Sequence, residues 1–209
     1  MALRLFPQEN RALTLLSQMA DLVIDAASAV SRTMGSPVED RPELLEQAFD
    51  IEGRCTDLFF AVMTDVRSSF VTALPRGDLY LLAHHLNTAG EDLAAATHTI
   101  VINGLDQFSS RASDLLDLIQ RQASLTAEAM HHLSDLEGLD EYWVEVLRMA
   151  KQSTRTGDLY RADLIESLKP RRYEQTAQFA DKLDSAARHL RAVATEVAAA
   201  SGSSRQRTP

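Results

Sequence analysis

Apolar residues recur along most of the chain at intervals of three and four, the period that places side chains on one face of an α-helix, and few runs alternate with period two. From Glu9 to Met34 the set Leu13, Leu16, Met19, Ala20, Val23, Ala27 and Val30 makes one such stripe, and Gly35-Ser36-Pro37 ends it. A second pattern opens at Pro42, with Asp40 as its expected N-cap, and passes through Leu45, Phe49, Phe59, Val62 and Val66 to about Phe70. A third spans Asp78 to about Val101 and is closed by Asn103-Gly104, a pair suited to ending a helix and reversing the chain. A fourth carries Leu115, Leu116, Leu118, Ile119, Leu125 and Met130 as far as Leu133. A fifth begins near Asp135, with Leu136, Leu139, Trp143, Val146 and Ala150 on its stripe, and is expected to stop before Thr156-Gly157-Asp158. Beyond it the spacing predicts a short helix over residues 159–168 and a longer one from Pro170 to Ala200, with a disordered tail over 201–209.

These patterns predict an all-α protein of about six long helices with short connections, packed as an antiparallel bundle. The expected organisation is one domain over residues 1–200, in two three-helix halves of about 1–104 and 105–200. A weak internal echo supports it. Glu52 precedes a turn and then Asp78-Leu79-Tyr80, while Glu137 precedes a turn and then Arg172-Tyr173-Glu174.

Composition sharpens this picture. Aromatics are only 6% of the chain while alanine and leucine dominate its apolar set, which favours helix over sheet. A formal charge of -9 argues against a nucleic-acid partner, because affinity for phosphate backbones comes mainly from lysine and arginine. The single cysteine, Cys55, rules out an intrachain disulfide and fits a reducing compartment. The opening MALRLFPQENR lacks the apolar core of a secretory signal. No stretch looks close to the roughly 20 apolar residues of a membrane span, so a cytoplasmic location is expected.

Candidate chemistry is sparse. Glu137 and Glu141, four apart on a helix, could turn two carboxylates toward one hard cation, although a solvated acidic turn at a helix N-terminus is the commoner meaning. Glu128-Ala-Met-His131 is one match to the paired Glu-x-x-His of di-iron bundles, and no second is found, which argues against an oxidase. Neighbours in a helix diverge by about 100 degrees, so neither His84-His85 nor His131-His132 is arranged to chelate. Cys55 beside Arg54 is expected to be a packed helix cysteine, not a reactive thiol. Lys169, Arg171 and Arg172 form the one dense basic cluster, suited to an anionic partner or to a solvated helix start. No phosphate loop, nucleophile elbow or zinc motif occurs, and no enzyme is specified.

The corner SFVTALPRGDLYLLAHHL, Ser69–Leu86, carries more information. Pro75 and Gly77 account for its turn, but not for Thr72, Arg76 and Asp78. Phe70-Val-Thr-Ala-Leu-Pro-Arg-Gly-Asp-Leu79 resembles the F-[IV]-T-P-x-D-R-x-D-I signature of the PhoU-like family, in the branch that accompanies Pit-type inorganic phosphate transporters, with the proline two places along. Leu5-Phe6-Pro7 is similar to that family's start, Leu136-Glu137-Gly-Leu-Asp-Glu141 to its L-E-x-E-x-D element, and Leu168 through Asp184 to its closing helix.

The resemblance implies two three-helix halves and a non-enzymatic regulator that binds an inorganic phosphate permease at the inner membrane or a cytosolic partner. It also implies acidic metal-binding motifs on the inner helices, from which this chain departs. Thr56 stands at the partner position of Glu52, Asn87-Thr88-Ala-Gly-Glu91 replaces an acid-rich run, and Ala177 precedes Asp181 where a glutamate is expected. Glu52, Glu91, Glu137, Glu141 and Asp181 remain as a degenerate set, so no cofactor is expected beyond a weakly held divalent or ferric ion. A metal-carboxylate protein and a generic helical scaffold are the alternatives. The alanine-rich faces at 94–96 and 192–200 leave room for self-association.

Overall fold

The computed structural model describes residues 11–70, 72–135 and 139–205, with side chains of the last helix as far as Ser201. Leu5-Phe6-Pro7, Leu136, Glu137 and the last four residues of the expected tail therefore lie outside the described residues. Six α-helices and no strand are present among those described: α1 (Arg11–Gly35), α2 (Arg41–Ser68), α3 (Arg76–Ile102), α4 (Ser110–His131), α5 (Asp140–Ser167) and α6 (Pro170–Arg205). A short 3-10 turn, Val38–Asp40, precedes α2.

The helices pack as two triples. α1, α2 and α3 touch one another, as do α4, α5 and α6, and the triples meet along α1 against α4 and α3 against α6. Exchanging the two triples leaves this scheme unchanged. The core is built mainly from leucine and alanine, with Leu16, Met19, Leu86, Ile100, Leu115 and Phe179 fully shielded from water. α2 and α5 form the outer edges.

The connection between the halves is tightly specified. Gly104 is the one described glycine with positive φ, at 55°, and ends α3 with Leu105 N–H donating to Ile100 O (3.0 Å) and Gly104 N–H to Val101 O (3.2 Å). This is the paired-bond helix stop for which Asn103-Gly104 is suited. Arg172 reaches over from α6 to donate to Asn103 O and Gly104 O, both at 3.0 Å, and to Asp106 Oδ1 at 2.6 Å. Arg41, 4% exposed, donates from the other side to Leu105 O at 2.6 Å and to Ser36 O at 3.3 Å. Ser109 then caps α4 by accepting from Ala112 N–H.

Several expectations are corrected. α5 does not stop at Gly157 but continues to Ser167, and the break falls at Leu168-Lys169, so the short helix over 159–168 is the end of α5. Gly157 is buried, and a Cβ there would lie 2.5 Å from Asp184 Oδ1; the glycine makes room for a neighbouring helix and does not end its own. α6 runs past Ala200 because its buried line of Val193, Val197 and Ala200 continues into Ser201, whose Oγ donates to Val197 O. Asp40 occupies the N-cap of α2 without a side-chain cap bond. The buried line of α2 is Ala48, Ile51, Cys55, Val62 and Val66, which turns Phe49 outward. Gly77 has an ordinary φ and lies in the first turn of α3, after Pro75 has set the entry.

α1 is long and apolar enough to cross a membrane by length and composition, against the expectation that no stretch approaches this. Ser17, Gln18, Asp21 and Asp25 interrupt its apolar run without lowering the average far. Its Leu16, Met19, Ala27 and Val30 are spent on the core, against α2, α3 and α4.

Candidate functional site

The residues singled out from sequence are scattered over several separate places. At the α2/α3 corner, Arg76 Nη2 donates to Ser69 O at 2.7 Å, and the Pro75 carbonyl accepts from the N–H groups of Asp78 and Leu79. Asp78 lies in the first turn of α3, where the helix dipole favours a negative charge. Arg76 is exposed, and Thr72 and Asp78 are half-buried. Arg76→Ala is expected to cost less than about 1 kcal/mol, because the bond is solvated. Urea denaturation of the two proteins measures this.

On the α2/α3 face, Thr56 Oγ1 donates to Asn87 Oδ1 at 3.2 Å and Asn87 Nδ2 donates to Glu91 Oε1 at 2.6 Å. Glu52 and Glu91 both act on Cys55, whose thiol is pushed up to about 12 by burial first and by these two carboxylates second. A thiol so shifted stays protonated and unreactive, as expected for a packed cysteine. The donors here do not fit a multinuclear metal centre: a hydroxyl and an amide N–H occupy positions where anionic oxygens are needed.

The corresponding helices of the other half, α5 and α6, are organised around a cation that the chain itself provides. Arg161 Nη2 bonds Asp181 Oδ1 at 2.8 Å and pairs with Asp184. Burial raises the Asp184 carboxyl above its ordinary value, opposed by the hydrogen bond and charge of Arg161. Asp181 is therefore engaged by an arginine. Glu141 sits apart in the first turn of α5, beside an open groove with Glu128, His132, Glu145 and Arg148. Glu137, its expected companion, lies outside the described residues. The acidic set is thus split among three sites, and among the described residues no group of three His, Cys, Asp or Glu is placed to hold a metal.

The close approach at Gly157 yields a test with a change of sign. Gly157→Ala should improve helix propensity by roughly 1 kcal/mol, yet the new methyl must displace a carboxylate fixed by Arg161. The expected result is a net loss of about 1 kcal/mol or more. In an Asp184→Ala background the same change is expected to stabilise, and thermal melts of the four proteins compare the two.

In the basic cluster, Arg172 is committed to the α3–α4 connection, which leaves Lys169 and Arg171 exposed at the start of α6. The histidines separate as helical geometry requires. His84 stacks on Tyr80, while His85 turns to His189 across the α3/α6 seam. His131 bonds Asp21 on α1, and His132 Nδ1 lies 2.9 Å from Glu128 O.

Sequence periodicity misses an aromatic surface. Phe60 is 60% exposed and packs at 5.7 Å from Phe59, which meets Tyr80 at 6.4 Å, continuing to His84 at 5.9 Å. Phe49 with His98 extends the same pair of helices toward the other end, and Phe70 stands fully exposed at the corner. The signal available is the adjacent Phe59-Phe60, which cannot both face one core.

No protein-family model matches the chain, and neither does any curated protein. Several solved chains match its fold, two crystal structures among them. A PhoU-like protein from Shewanella oneidensis MR-1 superposes with a TM-score of 0.77 at 14% identity, over 92% of this chain and 99% of that one. A second protein of that organism, provisionally described as a PhoU-like phosphate regulatory protein, superposes with a TM-score of 0.73 at 14% identity, over 90% and 98%. The chain has the PhoU-like fold.

Proposed function

We propose that this protein is a non-enzymatic regulator of low-affinity inorganic phosphate transport, of the Pit-accessory type, which works by docking on a permease at the cytoplasmic face of the inner membrane. The observation that carries the reading is the match of the whole six-helix arrangement to a protein described as a phosphate regulator, over nearly the full length of both chains. The resemblance of the Phe70–Leu79 corner to the Pit-associated signature supports the finer assignment. The exposed Phe60 and Tyr80, bridged by the half-buried Phe59, support the docking role, since apolar side chains grouped on a helix face mark contact surfaces more often than isolated ones do.

Metal binding is weak or absent on this reading, because Asn87 takes up Glu91, Arg161 takes up Asp181 and Asp184, and Thr56 offers only a neutral hydroxyl, itself bonded to Asn87. Metal analysis of protein purified without chelators tests that part, and tight stoichiometric iron or zinc would overturn it.

Docking is tested by co-purification with membranes that contain or lack an inorganic phosphate permease. Wild type is expected only with the permease-containing membranes, and Phe60→Asp is expected to lose that association. The variant should melt within about 0.5 kcal/mol of wild type, because an exposed side chain contributes little to the core. Equal retention by both membranes would count against the proposal.

A further inference from the structure

The α3/α6 seam is the more extensive of the two joints between the halves, and it contains a polar cluster that the proposed function does not use. His85 Nδ1 on α3 and His189 Nδ1 on α6 are 3.1 Å apart. Their ring centroids are 5.4 Å apart, a distance that the nitrogen separation and the two ring radii reproduce only if the nitrogens lie between the rings and face each other. Lone pairs aimed along one line suit one shared hydrogen, whereas a bound metal needs them to converge on a third point. Asp92, buried on α3, has Oδ2 at 4.0 Å from His189 Nε2 and without a hydrogen-bond partner, while its Oδ1 lies 3.5 Å from Lys182 Nζ.

We propose that this cluster is a proton-operated latch on the α3/α6 joint, closed while His85 and His189 carry at most one extra proton between them and opened by the second. In the neutral pair one ring must donate and the other accept. Asp92 beside Nε2 of His189 favours hydrogen there, so His189 accepts at Nδ1 from the Nδ1–H of His85. A first added proton enters at the free Nε2 of His85 and leaves that hydrogen bond in place, now charge-assisted. A second must enter at Nδ1 of His189. Two N–H groups and two positive charges would then confront each other at the seam.

The charged groups acting on the pair are His84, Glu91 and Asp92 from α3 and Arg188 from α6, with Lys182 reaching it through Asp92; none acts on it from α1, α2, α4 or α5 among the described residues. Burial, then His189 and His84, lower His85 from its ordinary 6.5; burial lowers His189 as well, against the opposing pull of Asp92. Because both folded values lie below the unfolded one, the unfolded chain binds more protons in acid. The contribution of the pair is complete above about 6.5 and is lost as the pH falls below it.

The test is a side-chain nitrogen NMR titration of the full chain from about pH 8 to about pH 5, with amide hydrogen exchange followed alongside. The expected result is a Nδ1–H tautomer for His85 and a Nε2–H tautomer for His189 at the alkaline end, then proton uptake in two separated steps. Seam-facing amides of α3 and α6 should exchange about tenfold or more faster only after the second step. His85→Asn, whose amide can donate to His189 or accept from it, is expected to abolish that acceleration. Independent titration of the two rings, or the same acid acceleration in wild type and variant, would overturn the latch. If the variant fails to fold, the wild-type tautomers and the order of the two steps decide alone.

Discussion

Phe179→Ala is expected to remove about 3–5 kcal/mol of stability, well beyond what any exposed side chain of the bundle contributes. Phe179 on α6 is fully buried and meets Phe108 of the α3–α4 connection edge-on, with ring centroids 5.6 Å apart. Truncation loses the transfer free energy of the ring and leaves a void between α6 and the link that joins the halves. It also strips Phe108, half-buried, of its partner. Typical domains hold only about 5–15 kcal/mol in total, so the variant is expected to be unfolded in a substantial fraction at 37 °C or to melt far below wild type. Urea denaturation with an unchanged slope and a lowered midpoint is the expected signature. A loss below about 1 kcal/mol would mean that α6 does not anchor the connection.

Arg41→Ala is the second large effect, expected at about 2–4 kcal/mol. The guanidinium is buried and spends its hydrogen bonds on main-chain carbonyls of Leu105 and Ser36, sixty-four and five residues away. Removing it leaves the Leu105 carbonyl short of a donor in a place water reaches poorly, and opens a cavity. Arg41→Met separates the two causes: it fills the volume and also removes the cost of burying a charge, so it should recover about half the loss. Full recovery would show that the carbonyl finds another donor. Arg172 clasps the same connection from α6, but its bonds are more exposed and its removal should cost less.

Much of the fold is legible in the sequence because it rests on periodicity. The stripes of α1 and α4 and the Asn103-Gly104 stop are local, and each appears where the spacing predicts it. What periodicity misses is non-local. Gly157 carries the same symbol as a helix end, and only the position of Asp184 on another helix shows that it is a point of close approach. Pattern alone ends α6 too early because Ser201 is polar, although burial against the core carries the helix through it. The outward turn of Phe49 and Phe60 follows from α2 being an edge helix, which its own pattern does not reveal.

The candidate site is less legible for the same reason. Spacing along one helix suggests Glu137 with Glu141, but the organised polar clusters join different helices: Thr56 with Asn87, Arg161 with Asp181 and Asp184, His85 with His189. The last pair is separated by 104 residues, and nothing in a single sequence links them. The corner at Arg76 and Asp78, by contrast, is visible as a motif because its parts are contiguous.

Contact with a transporter, in place of catalysis, is measured most directly by phosphate uptake into vesicles carrying a purified inorganic phosphate permease. Protein added at the cytoplasmic face is expected to change the uptake rate saturably, while Phe60→Asp, folded to the same degree, leaves the rate where it was. Uptake that is the same with and without the wild-type protein, over vesicles that bind it no better than permease-free ones, would contradict a docking role.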